Sequence, residues 1–181
     1  MVTSRAEAET KAASDGKPGE EYLSEQYPHI RFTPYLRSLA SEIVGTEKRP
    51  VEIARRIYDY VTKNVQYSYM RNYSIQTCTP EYCATNLRGD CGVQALLFIT
   101  LCRIAGVPAG WESGLYSNPV SLGAHDWAMF YAEPYGWLYA DPSFGGSAYA
   151  AGDENVGLKH RPDAGGLVGI FGIIYRCFLI H

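Results

Sequence analysis

The stretch that most limits what this chain can become is the apolar run over residues 91–104, entered through Arg88-Gly89-Asp90-Cys91. Gly89 and Asp90 are loop and cap residues. Val93, Leu96, Leu97, Thr100, Leu101 and Ile104 then recur at helical spacing, and Gly106 followed by Pro108 ends the pattern. Cys91 is thereby placed in the first turn of a helix. The positive end of the helix dipole favours thiolate over thiol there, which is a nucleophile's position.

Before this helix the spacing predicts two others. One begins near Pro34, which suits a first turn, with Leu36, Leu39, Ala40, Ile43 and Val44 on its apolar face and Gly45 closing it. The next runs from about Pro50. Ile53, Ile57, Tyr60 and Val61 form its buried stripe, and Arg55, Arg56 and Lys63 its solvated side. Residues 65–69 read as a short extended piece. Residues 70–90 read as one long polar loop leading into Cys91, and a loop of that length in a compact domain is usually functional.

After the Cys91 helix the period changes to two. Residues 111–116, 125–131 and 137–140 read as strands, the last two joined through Glu133-Pro134-Tyr135-Gly136. Gly145-Gly146 and Gly152-Asp153 read as turns. Residues 167–180 are apolar but broken by glycines and Arg176, too short and interrupted for a membrane span. Residues 1–20 hold no large apolar residue beyond Met1 and Val2 and read as a flexible tail, leaving 21–181 as a single domain. That opening stretch carries no apolar signal core. The chain is therefore expected to be cytoplasmic or a piece cut from a longer exported protein, and its compartment stays open.

Bulk properties exclude little. A net charge of −3, with no basic run, argues against nucleic acid as a partner. Fifteen tyrosines suit either a groove for a polar polymer or amphipathic sheet and surface positions. Five cysteines are an odd number, so one thiol stays unpaired within the chain. Cys78 and Cys83 are close enough for a local disulfide in an exported protein. No second cysteine pair of zinc spacing follows them, which leaves a metal site a distant alternative. Cys102 falls inside the helical pattern, as a core residue.

The last two strands make a hairpin, and opposed residues in an antiparallel pair have a constant number sum. The turn sets that sum between about 266 and 269. His125 then lies opposite a residue in the range 141–144, which makes Asp141 its neighbour. Asp126 is adjacent in sequence but points to the other face of the strand. A carboxylate on one imidazole nitrogen fixes the tautomer and frees the other nitrogen to take a proton from a thiol. Trp127 shares a face with His125, where it shields the His–Asp bond or simply packs.

The order Cys, His, Asp, with the cysteine opening a helix and the other two on neighbouring strands, resembles the transglutaminase-like cysteine enzymes. The resemblance is carried by Arg88-Gly89-Asp90-Cys91, Leu101-Cys102-Arg103-Ile104-Ala105-Gly106-Val107-Pro108-Ala109, His125-Asp126-Trp127 and Trp137-Leu138-Tyr139-Ala140-Asp141-Pro142, over roughly residues 50–145. It implies an α+β fold related to papain, with the cysteine-bearing helix packed on an antiparallel sheet. It implies Cys91 as nucleophile, His125 as general base and acid, and Asp141 as orienter. Gly92 stands where the animal crosslinking enzymes usually carry an aromatic residue, which is similar to the microbial branch.

The expected chemistry is acyl transfer. Cys91 attacks an amide carbonyl of a peptide or protein, a thioester forms, and water releases it, with amine transfer second. Tyr67 and Tyr69 are candidate hydroxyl donors to the oxyanion beside the Cys91 backbone N–H. No cofactor is implied. A different class of function is a non-catalytic peptide- or glycan-binding module on the same fold.

Overall fold

In a computed structural model the described residues are 17–70, 73–118 and 121–150. Expectations for residues 1–16 and 151–181, including the apolar stretch at 167–180, lie outside them. The elements in order are α1 (Pro34–Val44), α2 (Pro50–Asn64), β1 (Gln66–Tyr67), α3 (Thr79–Asn86), β2 (Arg88–Gly89), α4 (Cys91–Ile104), β3 (Ala109–Asn118), β4 (Ser121–Ala132), β5 (Gly136–Ala140) and α5 (Pro142–Ala150).

The first two helices begin and end as their residues dictate. Thr33 caps α1 by accepting from Leu36 N, Pro34 opens it, and Gly45 ends it at φ 60°. In α2 the buried stripe is Ile53, Ala54, Ile57, Tyr58, Val61 and Thr62. Tyr58, not the expected Tyr60, is the tyrosine it buries. Tyr60 is only partly covered.

α4 is the centre of the molecule. Val93, Ala95, Leu97, Phe98, Ile99, Leu101 and Cys102 are all fully buried. Burial all round explains why its apolar residues exceed one stripe: α1, α2, α3, α5, β3 and β4 all pack on it. Phe98 meets Phe130 of β4 edge-to-face at 6.1 Å. At its C-terminal end the buried Arg103 donates through Nε to Ala109 O and through Nη1 to Ser24 O, both at 2.8 Å. Those carbonyls satisfy a cation that burial would otherwise penalise.

The sheet β3-β4-β5 is antiparallel. Ala128, Phe130 and Ala132 of β4 join the core against α4. The β4–β5 ladder pairs Ala128 with Ala140 and Ala132 with Gly136, a constant sum of 268, inside the range the hairpin requires.

Two further expectations are corrected. Residues 70–90 are not one long loop. They contain a short 3-10 turn at Tyr73–Ile75, the helix α3, and β2, which pairs in parallel with β1. α3 carries little signal in the sequence because it is short, opens at Thr79-Pro80 and ends on Leu87 in the left-handed region at φ 52°, with no glycine to mark the stop. Gly145-Gly146 is not a turn either; it lies inside α5, where a side chain on Gly145 would collide with the Tyr58 hydroxyl of α2. Among the described residues no helix is long and apolar enough to cross a membrane.

Candidate active site

Two aspartates, each at the start of a helix, build the site. Asp90 caps α4: its Oδ1 accepts from Val93 N at 3.1 Å. The same carboxylate holds the preceding segment, accepting from Met70 N at 3.3 Å and from the Tyr73 hydroxyl. Burial and that bond push the Tyr73 hydroxyl well above the usual phenol range, so it stays a donor. Cys91, half-buried, is the first helical residue after this cap.

Asp141 does the same for α5. Its Oδ1 accepts from Phe144 N at 3.1 Å and from Ser143 Oγ at 3.0 Å. Its Oδ2 lies 2.5 Å from His125 Nε2. His125 and Asp141 are 6% and 3% exposed, so water competes little for this bond. Phe144 stacks on the imidazole at 4.2 Å, and Trp127 lies 5.9 Å away on the same strand. The ring is thus fixed by a carboxylate at one nitrogen and by aromatic groups beside it.

Because Nε2 is taken by Asp141, Nδ1 is the nitrogen left for Cys91, whose hydrogen bonding and charge also act on the ring. Burial works against the imidazolium. The hydrogen bonds and negative charges of Asp141 and Cys91 outweigh it, and the imidazole is pushed up to about 9. His125 and Asp141 are thus in direct contact, and Cys91 acts on the imidazole through hydrogen bonding and charge.

The sequence missed two neighbours. Asp126 shares its strand face with Ala128 and Phe130, the face packed on α4. Its Oδ2 accepts from Cys91 Sγ at 3.8 Å. The alternation that separates Asp126 from His125 therefore turns it toward the thiol. Tyr73 is the second. Tyr67 and Tyr69 remain 54% and 76% exposed, and it is the Tyr73 hydroxyl that comes to the cysteine turn, where a Cβ on Gly92 would lie 2.5 Å from it. Its hydrogen bond to Asp90 makes it a clamp on the segment before α3.

Among the described residues the other cysteines stand apart from this chemistry. Cys78 and Cys83 are free thiols rather than a disulfide, and Cys102 is free and fully buried. Burial pushes the Cys83 thiol up to about 12. Among the described residues no group of three His, Cys, Asp or Glu side chains is placed to hold a metal ion.

Comparison with known proteins gives the family and the fold. The family model of the transglutaminase-like superfamily matches residues 37–142, a span that contains Cys91, His125 and Asp141. An uncharacterised protein of Haemophilus influenzae is 28% identical over 149 residues, covering 67% of this chain and 39% of its own length. Among solved structures, a candidate cysteine protease from Cytophaga hutchinsonii superposes with a TM-score of 0.58 at 22% identity, over 68% of this chain and 41% of its own. The periplasmic domain of TgpA from Pseudomonas aeruginosa gives 0.59 at 18% identity, over 74% and 49%. This chain spans less than half the length of each of these relatives, and the two structures establish a shared fold. That fold is α+β, with the cysteine-bearing helix on an antiparallel sheet.

Proposed function

The chain belongs to the transglutaminase-like superfamily, and from that premise we propose that it is a thiol-dependent acyl-transfer enzyme that hydrolyses peptide or isopeptide amide bonds. The observation that supports this reading is the buried 2.5 Å contact between His125 and Asp141, together with the hydrogen bonding and charge that Cys91 exerts on the same imidazole.

In this reading His125 Nδ1 takes the proton of Cys91 Sγ, and Asp141 at Nε2 stabilises the imidazolium that results. The thiolate attacks the amide carbonyl. Negative charge then develops on the carbonyl oxygen, near the first turn of α4, whose N–H groups have no partner within the helix. The imidazolium returns its proton to the leaving amine, and a thioester remains on Cys91. Water, deprotonated by the neutral imidazole, attacks the thioester and releases the acid. Transfer would follow the same path, with an amine in place of water.

The test is incubation of the purified protein with a peptide library, followed by mass spectrometry for an acyl adduct on Cys91 and for released fragments. Cleavage that disappears in Cys91→Ala, with the fold unchanged by circular dichroism, is the expected result. Turnover that survives in Cys91→Ala removes the thiol mechanism. Fragments without net hydrolysis, joined to added amine, would assign the acceptor as an amine and not water.

A further inference from the structure

The residues of the proposed triad leave one group unexplained. Asp126 is a half-buried carboxylate whose Oδ2 receives the Cys91 Sγ hydrogen bond at 3.8 Å. Its Cα partner across the ladder is Ser113, an uncharged residue. The titratable groups around it are His125 on its own strand, Asp90 and Cys91 at the start of α4, and the Tyr73 hydroxyl. Gly92 makes the approach possible: Asp126 Oδ2 lies 2.9 Å from where a Cβ would stand, so any other residue after Cys91 would push the carboxylate away.

We propose that Asp126 is a second catalytic carboxylate, which holds the Cys91 thiol by its S–H in the resting site and competes with His125 for that proton. This rests on the reading of Cys91 as the nucleophile. Activation then has two parts. The S–H bond turns from Asp126 Oδ2 to His125 Nδ1. In molecules whose imidazole is neutral, the proton passes to that nitrogen while the S–H electron pair stays on sulfur, leaving thiolate and imidazolium with no change in total charge, and the charge on sulfur then helps to hold the imidazolium.

The thiolate so formed faces a carboxylate of like sign. Two like charges at the 3.8 Å of this contact repel, and more strongly in a half-buried site than in open water. Asp126 therefore opposes negative charge on sulfur. When sulfur attacks, its negative charge moves to the carbonyl oxygen and away from Asp126, so the repulsion is relieved on the way to the transition state. The carboxylate restrains the idle thiol without taxing the chemical step. Burial holds the Asp126 carboxyl above the ordinary range, His125 pulls it down, and Asp90 adds to the rise.

The experiment is alkylation of Cys91 by iodoacetamide, a neutral probe, across pH, with the labelled peptide quantified by mass spectrometry. In Asp126→Asn and Asp126→Ala the pH of half-maximal rate is expected to fall by about one unit, a roughly tenfold faster reaction on the acidic limb. A purely structural role would lower the melting temperature and leave that pH where it is, and an unmoved or raised midpoint overturns the proposal. Where neither variant folds, the parent chain serves. The infrared S–H band of Cys91, taken as the difference from Cys91→Ala at pH 6, is expected at lowered frequency, as for a thiol bonded to a carboxylate. An absent band, or one at the free-thiol frequency, overturns it. Neither readout needs an amide substrate. Failed peptide cleavage would remove the hydrolase reading alone, and active cleavage with a flat Asp126→Asn comparison would remove this one alone.

Discussion

Asp141 reaches His125 from one residue beyond the end of β5, through an oxygen that its helix does not use. With paired residues summing to 268, His125 falls opposite position 143, and Asp141 is its diagonal neighbour. The diagonal is closed because α5 starts there. Oδ1 is committed to Phe144 N and Ser143 Oγ at the helix start, which aims Oδ2 at the imidazole 2.5 Å away. The two roles open to Asp141, a turn residue before Pro142 and a partner of His125, are both filled, one by each oxygen.

Asp141→Asn should separate those roles. The amide oxygen can still cap α5, so the melting temperature should change little. The NH2 group, however, donates to Nε2 and so places the ring proton on Nδ1, where it blocks receipt of the thiol proton. Turnover should fall by roughly 10²-fold or more, short of the complete loss in Cys91→Ala, and the loss should appear in kcat with KM little changed. Alkylation of Cys91 at neutral pH should slow as well. Superimposable alkylation profiles for parent and variant would reduce Asp141 to its capping role.

The raised imidazole has a consequence for stability. A group whose folded value lies above its unfolded value stabilises the fold fully below the unfolded value, and loses that contribution as pH rises through the folded one. For His125 the unfolded value is about 6.5 and the folded one about 9. The parent should therefore lose stability between those limits, by on the order of 3 kcal/mol at most. Melting temperatures measured across that window should decline in the parent and stay flatter in His125→Gln. Parallel curves would show that the imidazolium contributes nothing to the fold.

How far the sequence revealed the site depended on the physics each residue obeys. The α4 start was legible because Asp90 and the apolar run after it are a local signal, and a first-turn cysteine follows from it. The His125–Asp141 pairing was legible because a hairpin turns a loop position into a register. Alternation correctly turns Asp126 away from His125, but nothing in one strand says which face meets Cys91. That depends on α4 packing against Ala128 and Phe130, a long-range fact. Tyr73 was hidden for the same reason. It acts through Asp90, seventeen residues ahead of it, across a segment whose short helix has no strong periodicity. Tyr58 replaced Tyr60 because α2 is covered on more than one side, by α4 and by α5, and a single stripe is too narrow a template.

Asp90→Ala should cost more than an ordinary cap. It removes the acceptor for Val93 N, about 1 kcal/mol for a helix cap, and also strands Met70 N and the Tyr73 hydroxyl. A total loss of about 2 kcal/mol or more is expected from denaturant unfolding. Asp90→Asn, which keeps the acceptor oxygen, should recover most of it. If Asp90→Ala and Tyr73→Phe lose the same amount, the cap itself contributes little and the clamp on Tyr73 carries the effect.

Gly92→Ala tests the crowding on which the site depends. Three groups from three parts of the chain meet beside this residue. An added Cβ would lie 2.5 Å from Tyr73 Oη, 2.8 Å from Trp111 Cη2 and 2.9 Å from Asp126 Oδ2. None of these is a free side-chain end that can swing away at little cost. Tyr73 is bonded to Asp90, Trp111 packs against the core, and Asp126 is half-buried beside the thiol. Alanine has the better helix propensity, by about 1 kcal/mol, so an open site would gain stability from the change. Overpacking typically costs about 1–3 kcal/mol, and with three contacts below 3 Å it should win. The expected result is a net loss of stability together with a change in Cys91 alkylation, because the least anchored of the three groups is the Asp126 carboxylate that touches the thiol. Phe98→Leu, placed in the core away from these contacts, provides the comparison: it should lower stability and leave the alkylation profile unmoved. A Gly92→Ala variant as stable and as reactive as the parent would mean that the space beside Cys91 is open and that the close approach of Asp126 is not enforced.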